Sequence, residues 1–461
     1  MLIPLESVSG GTMSNYLLYM ALIGVLLLIG TIIRLKVSIF KTFYIPAALI
    51  AGVIGLILGP SVLKVIPQEI TNSWSTVAGF GMTIVLAPAM MGAASSKKKG
   101  MYKKAINAAC FTYGCTGIQF ALPMLLTLLV LNPVFHVGEQ FATTFECAWA
   151  GSHGMAAAMK TVYDSIGYEG GDSLCLVNAT IGLLFGLIGG IALINVAARK
   201  GWTKCLGKTT GGLKLKNTDV EIFHGTDRPV DTLTATSSNV IDTFAFHAAI
   251  LGVILIVGQI ISYLLRLIGV DLPLFCCAVF AGFFTQKVLD KTPWADVVDR
   301  NVFSRMQGIA LEFVLVGSVA SLNLSVVAAN IVPILIVSVP MAVIMWLMVT
   351  KFAPKVLGYY WFETAMILFG AFTGAAATGM TLLKVCDPKV QSDAAEIYAA
   401  RLIFTGFATG GGVITLSAPL WVAKFGMVPC MIGFILLTVV ALAIPFVFKL
   451  NKFEGVESQQ V

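Results

Sequence analysis

With 461 residues, 57% of them hydrophobic and only 11% charged, the chain lies far from the roughly 45–50% apolar and about 25% charged usage of soluble domains, so lipid is the solvent for most of it. The formal charge of +7 does not indicate a nucleic-acid partner, because that needs a basic face on a water-exposed domain and the sequence has no such stretch. The nine cysteines fall mostly in or beside apolar runs, without zinc or redox spacing, and read as small packing residues with no cofactor implied.

The first apolar run, 16–33, has no Lys or Arg ahead of it and is expected to be a retained span, not a cleaved signal. Spans follow at about 43–59, 76–95 and 105–131. Residues 141–163 stand apart, and 174–197 completes the first half. Beyond a basic linker, 199–241, come spans at about 243–264, 272–284, 309–326 and 331–350. A second odd segment, 360–383, precedes spans at 402–423 and Met427–Val447.

If both odd segments enter and leave on one side while the other eleven cross, with the N-terminus outside, only Lys64, Lys160, Arg266 and Lys424 of the 30 basic residues escape the cytoplasmic side. Letting 141–163 cross instead sends Arg199 and Lys200 outside and brings Asp164, Glu169 and Asp172 in. Two re-entrant hairpins from opposite faces therefore satisfy the charge pattern, and they place the C-terminus on the cytoplasmic side.

The same letters recur around the two hairpins. Phe145-Glu146, the 151–154 glycine pair, Ala156-Ala157-Ala158, Met159, Lys160 and Asp164 are echoed by Phe362-Glu363, Gly370 to Gly374, Ala375-Ala376-Ala377, Met380, Lys384 and Asp387, about half a chain later. Five spans per copy is an odd number, so the copies have opposite topology. The expected fold is an all-α polytopic membrane protein of two inverted repeats, each of five transmembrane helices and one re-entrant hairpin. The repeats occupy 1–198 and 242–424, and an extra transmembrane helix and tail occupy 425–461.

Unpaired backbone polar groups are not tolerated against lipid, so a hairpin tip must be buried in protein or line a wet cavity. The tips Gly151-Ser152-His153-Gly154 and 370–374 offer small residues, and helices starting after them would favour an anion at their positive ends. The alanine runs also suit plain close helix packing. His153 is either a ligand donor or a structurally bonded histidine, and His247, near the start of a span, reads as a packed or interfacial one. Arg401 is either a bidentate anion ligand or a positive-inside anchor. Glu312, one turn into its span, faces either the interior or the interface. Glu146 and Glu363 cap, pair with Lys160 or Lys384, brace the hairpin arms, or sit at the wet interface. Asn178 and Thr180 after the first hairpin, mirrored by Thr405 and Thr409 after the second, have the oxygen chemistry sodium needs.

Tyr44-Ile45-Pro46 before an Ala/Gly-rich span, then Gly151-Ser152-His153-Gly154, Tyr168 and a glycine-rich span, resemble the bacterial glutamate:sodium symporters. The second half agrees in order, with Leu272-Pro273 leading a span and 370–379 at the second hairpin. The resemblance implies sodium-coupled uptake of L-glutamate, a homodimer, and a hairpin-bearing core moving as an elevator. It assigns substrate contact to Ser152, His153, Gly154, Thr373 and Gly374; Arg401, for which the family pattern supplies no counterpart, and Thr378 join them as candidate substrate residues from this sequence itself. The tips depart from the Gly-Gly-x-Gly pattern of the family and of the related citrate carriers, and Met427–Val447 is an addition to its usual end. The runner-up cargo is another small carboxylate, taken up with sodium or protons. A channel and a membrane enzyme are the other classes considered, and no His-Glu-x-x-His or nucleophile elbow supports an enzyme.

Overall fold

Every regular element among the residues described by the computed structural model is a helix, and none of these residues forms a strand. The described residues are 9–42, 45–88, 91, 100–206, 234, 236, 239–267, 274–295, 297–387 and 391–452. Helices are the expected outcome in lipid, because each satisfies its own backbone groups without water. In the first half they are α1 (Gly10–Lys36), α2 (Ser38–Thr42), α3 (Ala47–Leu58), α4 (Gln68–Leu86), α5 (Met101–Leu126), α6 (Asn132–Phe135), α7 (Glu146–Trp149), α8 (Ser152–Ser165) and α9 (Gly171–Lys200). Then come α10 (Thr243–Leu267), α11 (Leu274–Leu289), α12 (Arg300–Ala320), α13 (Leu324–Leu347), α14 (Ala353–Val356), α15 (Trp361–Thr373) and α16 (Ala376–Cys386). The chain ends with α17 (Ala394–Thr405), α18 (Val413–Phe425) and α19 (Met427–Val447).

Seven of these stretches, by length and composition, are long and apolar enough to cross a membrane. The eleven full crossings expected from the sequence are thus not all matched by long helices. The expected span 43–59 is the 12-residue α3, about 18 Å long, started at Pro46 and stopped at Gly59. The expected span 402–423 is two helices, α17 and α18, because the glycines from Gly406 to Gly412 interrupt it. The boundary expected between 326 and 331 falls earlier, where the Asn323 side chain accepts from the Ser325 and Val326 amides and starts α13. Tyr44, Leu272, Pro273, Lys97 to Lys99, most of the 199–241 linker and the C-terminal tail lie outside the described residues.

The chain divides into two compact units, Met1–Ala93 with Asn217–Leu322 and Ala94–Lys216 with Asn323–Val461, each drawing on both halves of the sequence. In the first unit α12 packs along α3 and α4, and α10 along α11. Small residues permit the approach: a Cβ on Gly52 would meet Val319 and one on Gly55 would meet Ala320, both within 3 Å. His247 is buried and satisfied, with Nδ1 set to donate to the Thr243 carbonyl at 2.7 Å and Nε2 accepting from the Asp299 amide at 2.9 Å. This is the packed role expected for it.

The second unit is built on α5 and α9. α19 lies along α5, where Gly114 admits Leu442 and Phe120 stacks on Phe434 at 4.3 Å. Asn107 of α5 donates to the Val356 and Leu450 carbonyls at 3.0 and 2.9 Å, joining three segments far apart in sequence. A wide helical turn follows α5 at 127–131 and another follows α13 at 348–352, so each half carries the same irregularity ahead of its odd segment.

Candidate functional site

Both odd segments double back. Thr143 and Tyr163 are twenty residues apart, about 30 Å along a straight helix, yet their hydroxyls lie 3.0 Å apart. The reversal falls at Ala150 to Ser152, between α7 and α8. In the second segment a Cβ on Gly370 would lie 2.5 Å from the Gly379 Cα, so the α15 and α16 backbones touch and the chain reverses at Gly374-Ala375.

A cavity of about 190 Å³ lies at these reversals. Its wall takes Ala150, Gly151 and Ser152 from the first, Ala371, Phe372, Ala375 and Ala376 from the second, and one face of α17 with the glycine break after it, from Tyr398, Arg401 and Thr405 to Thr409 and Gly410. The volume is below the roughly 300–1,000 Å³ of drug-sized pockets, which suits a solute of few heavy atoms.

Arg401 supplies the charge in this wall. It is 4% exposed, and its Nη1 donates to the Thr112 and Thr405 hydroxyls at 3.2 and 3.1 Å. The guanidinium stacks over the Tyr398 ring at 4.4 Å and the Phe372 ring at 5.8 Å, and Nε has no partner. Among the described residues no carboxylate pairs with it. A buried, planar cation held by neutral groups beside a cavity has a donor left over that an anion can use.

Of the residues singled out from sequence, the cavity gathers Ser152, Arg401, Thr405 and Thr409. His153 instead turns to α9, with Nε2 2.9 Å from the Thr180 hydroxyl, and Thr180 also donates to the Leu176 carbonyl. Thr373 is fully buried, donates to the Phe369 carbonyl at 2.8 Å, and packs where a Gly186 Cβ would be. A Cβ on Gly374 would meet the Thr378 hydroxyl at 2.8 Å and the Leu183 side chain at 3.1 Å, and Gly154 is buried in the first turn of α8. Asn178 donates to the Thr144 hydroxyl at 3.0 Å, leaving its Oδ1 unpartnered. Glu312 belongs to the first unit, where Arg34 is its electrostatic neighbour.

The two hairpin glutamates pair with neither Lys160 nor Lys384. Glu146 Oε1 accepts from the Thr415 hydroxyl at 3.1 Å and the Gly410 amide at 3.3 Å. Glu363 Oε1 accepts from the Thr203 hydroxyl and Lys204 amide, both at 2.7 Å, and from the Cys205 amide at 3.3 Å. Lys160 bridges to Asp164 instead.

Tyr398, Phe372 and Thr112 complete the Arg401 surroundings and were not singled out from sequence. Tyr398 stands three residues before Arg401, on the same helical face, a spacing that identifies it. Thr112 is 289 residues away and carries no such signal.

The sodium/glutamate symporter family profile matches residues 13–385. Among solved structures, the sodium proton antiporter MjNhaP1 from Methanocaldococcus jannaschii matches at 13% identity over 95% of this chain and 98% of its own, with a TM-score of 0.37. No curated protein sequence matches the chain.

Proposed function

Because the chain belongs to the sodium/glutamate symporter family, we propose that it is a secondary carrier taking up L-glutamate with sodium across a bacterial inner membrane. The observation that carries the reading is Arg401, a buried guanidinium without a carboxylate partner in the wall of a small cavity between two chain reversals. One substrate carboxylate would take the place beside Arg401, with Ser152, Thr405 and Thr409 offering hydroxyls. Amides at the first turns of α8 and α16 would add partial positive charge.

In this reading 141–163 and 360–383 are re-entrant hairpins of two inverted repeats, the N-terminus is outside, and the C-terminus is cytoplasmic. A homodimer would hold the scaffold while the hairpin-bearing unit moves as an elevator. Sodium would use oxygens such as those of Asn178, Thr180, Thr405 and Thr409.

The test is uptake of labelled L-glutamate into proteoliposomes with and without an inward sodium gradient. Sodium-dependent uptake is expected, with Arg401→Gln lowering it at least tenfold, in line with the roughly 2–5 kcal/mol lost when a buried charge pair loses one member. Uptake indifferent to sodium would defeat the coupling. Efficient competition by other dicarboxylates would move the cargo away from glutamate.

A further inference from the structure

Glu146 occupies an unusual position. It is 0% exposed and begins α7, one helical turn before the reversal that lines the cavity. Its Oε1 is held by two long bonds, and its Oε2 has no partner. Among the described residues no Lys or Arg pairs with it, and Arg401 is not among its electrostatic neighbours. A buried carboxylate in lipid surroundings is strongly disfavoured without a compensating positive charge.

The Gly410 amide that bonds Glu146 belongs to a residue of the cavity wall. Neighbouring titratable groups do not compensate the charge. Cys147 on α7 lies 3.3 Å from Cys175 of α9, Tyr163 of α8 meets Thr143, and His153 of α8 meets Thr180. Cys115 of α5 has Arg401 for its charged neighbour, and α18 offers the Thr415 hydroxyl. Glu363 also has an unpartnered Oε2, but it is placed differently: it lies about three turns from its own reversal, and its Oε1 collects three donors from the segment after α9, two of them at 2.7 Å.

We infer that Glu146 is a cation site separate from the Arg401 cavity, and that its carboxylate takes up a monovalent cation, sodium or a proton, arriving by way of the cavity. The inference deepens the carrier reading and rests on it for the cation's role in coupling, but not for its binding. Occupancy would fix the first reversal to the Gly410 to Thr415 segment, because that segment is tied to the same carboxylate.

The experiment is thermal unfolding of the purified full chain without glutamate, titrated with NaCl against choline chloride at fixed pH, and separately with pH in choline. A ligand that binds only the folded state raises Tm with its concentration. Wild-type Tm is expected to rise with one of the two cations, and Glu146→Gln, already neutral, is expected to lose that rise. Loss in the sodium series identifies sodium, and loss in the pH series identifies the proton. Glu146→Gln curves parallel to wild type in both series overturn the inference. If the amide variant does not fold, Glu146→Asp keeps the charge on a shorter arm and should shift the midpoint to higher cation concentration; an unshifted midpoint overturns the inference equally. A cation response at Glu146 with no glutamate uptake would reject the proposed cargo and leave this site standing.

Discussion

The two chain reversals of the second unit solve one geometric problem by opposite means. The second is made of two regular helices pressed together at Gly370 and Gly379, with its carboxylate, Glu363, far from the tip and held through Oε1 by a neighbouring segment. The first has an irregular arm, a tight 3-10 turn over Glu139–Thr144 and the four-residue α7, held by hydroxyl contacts, with its carboxylate next to the tip. Its reversal is taken by Ser152 at φ 67°, a conformation costly for a residue with a Cβ, although Gly151 stands beside it at φ −93°. The difference is one of support: in the second reversal backbone rests on backbone, whereas the first rests on polar contacts and a strained residue.

The largest expected effect tests the packed reversal. A Cβ at Gly379 would lie 2.2 Å from the Ile367 carbonyl oxygen, which belongs to the backbone and cannot swing away. Gly379→Ala should therefore destabilise the protein by roughly 1–3 kcal/mol, read as a lowered Tm in detergent. An unchanged Tm would mean that α15 and α16 part easily, and the contrast between the reversals would collapse.

A smaller effect of opposite sign is expected in the first reversal. Ser152→Gly relieves the left-handed strain and should stabilise by about 1 kcal/mol, while the lost hydroxyl weakens glutamate binding. Tm and half-saturation for uptake, measured on the same preparation, check both parts. A lower Tm would show that the serine is held by more than it strains.

The smallest effect lies at Asp387, just after α16. Burial of Asp387 raises its carboxyl pKa, but hydrogen bonds from the Ser392 hydroxyl at 2.6 Å and the Gln391 and Ser392 amides at 2.8 Å outweigh this and hold it below the ordinary range. A depressed folded pKa contributes stability that is complete above the unfolded value of about 3.9 and is lost as pH falls through the folded value. Asp387→Asn should flatten the decline of Tm below about pH 4, and a decline of unchanged steepness would show that the bonds from Gln391 and Ser392 add no pH-dependent stability.

Much of this was legible in the sequence because lipid imposes simple rules. Apolar composition required helices, and small-residue runs at 151–154 and 370–374 marked the two reversals. Arg401, by sequence either an anion ligand or a positive-inside anchor at the start of a span, is put by the fold in the cavity wall together with Thr405 and Thr409. His153 and Thr373 were chosen for their place at the tips, but side-chain direction is set by packing. Both face α9, where Gly182 and Gly186 leave room for the second reversal.

By itself the sequence determined the class of solvent, the helical content and the places where the chain must break, because these depend on composition and on local backbone freedom. The tertiary structure alone decided which polar groups meet. Thr112 reaches Arg401 across 289 residues, Thr415 reaches Glu146 across 269, and Thr203 reaches Glu363 across 160. No local spacing encodes such pairs, because they exist only once helices distant in sequence share one buried face.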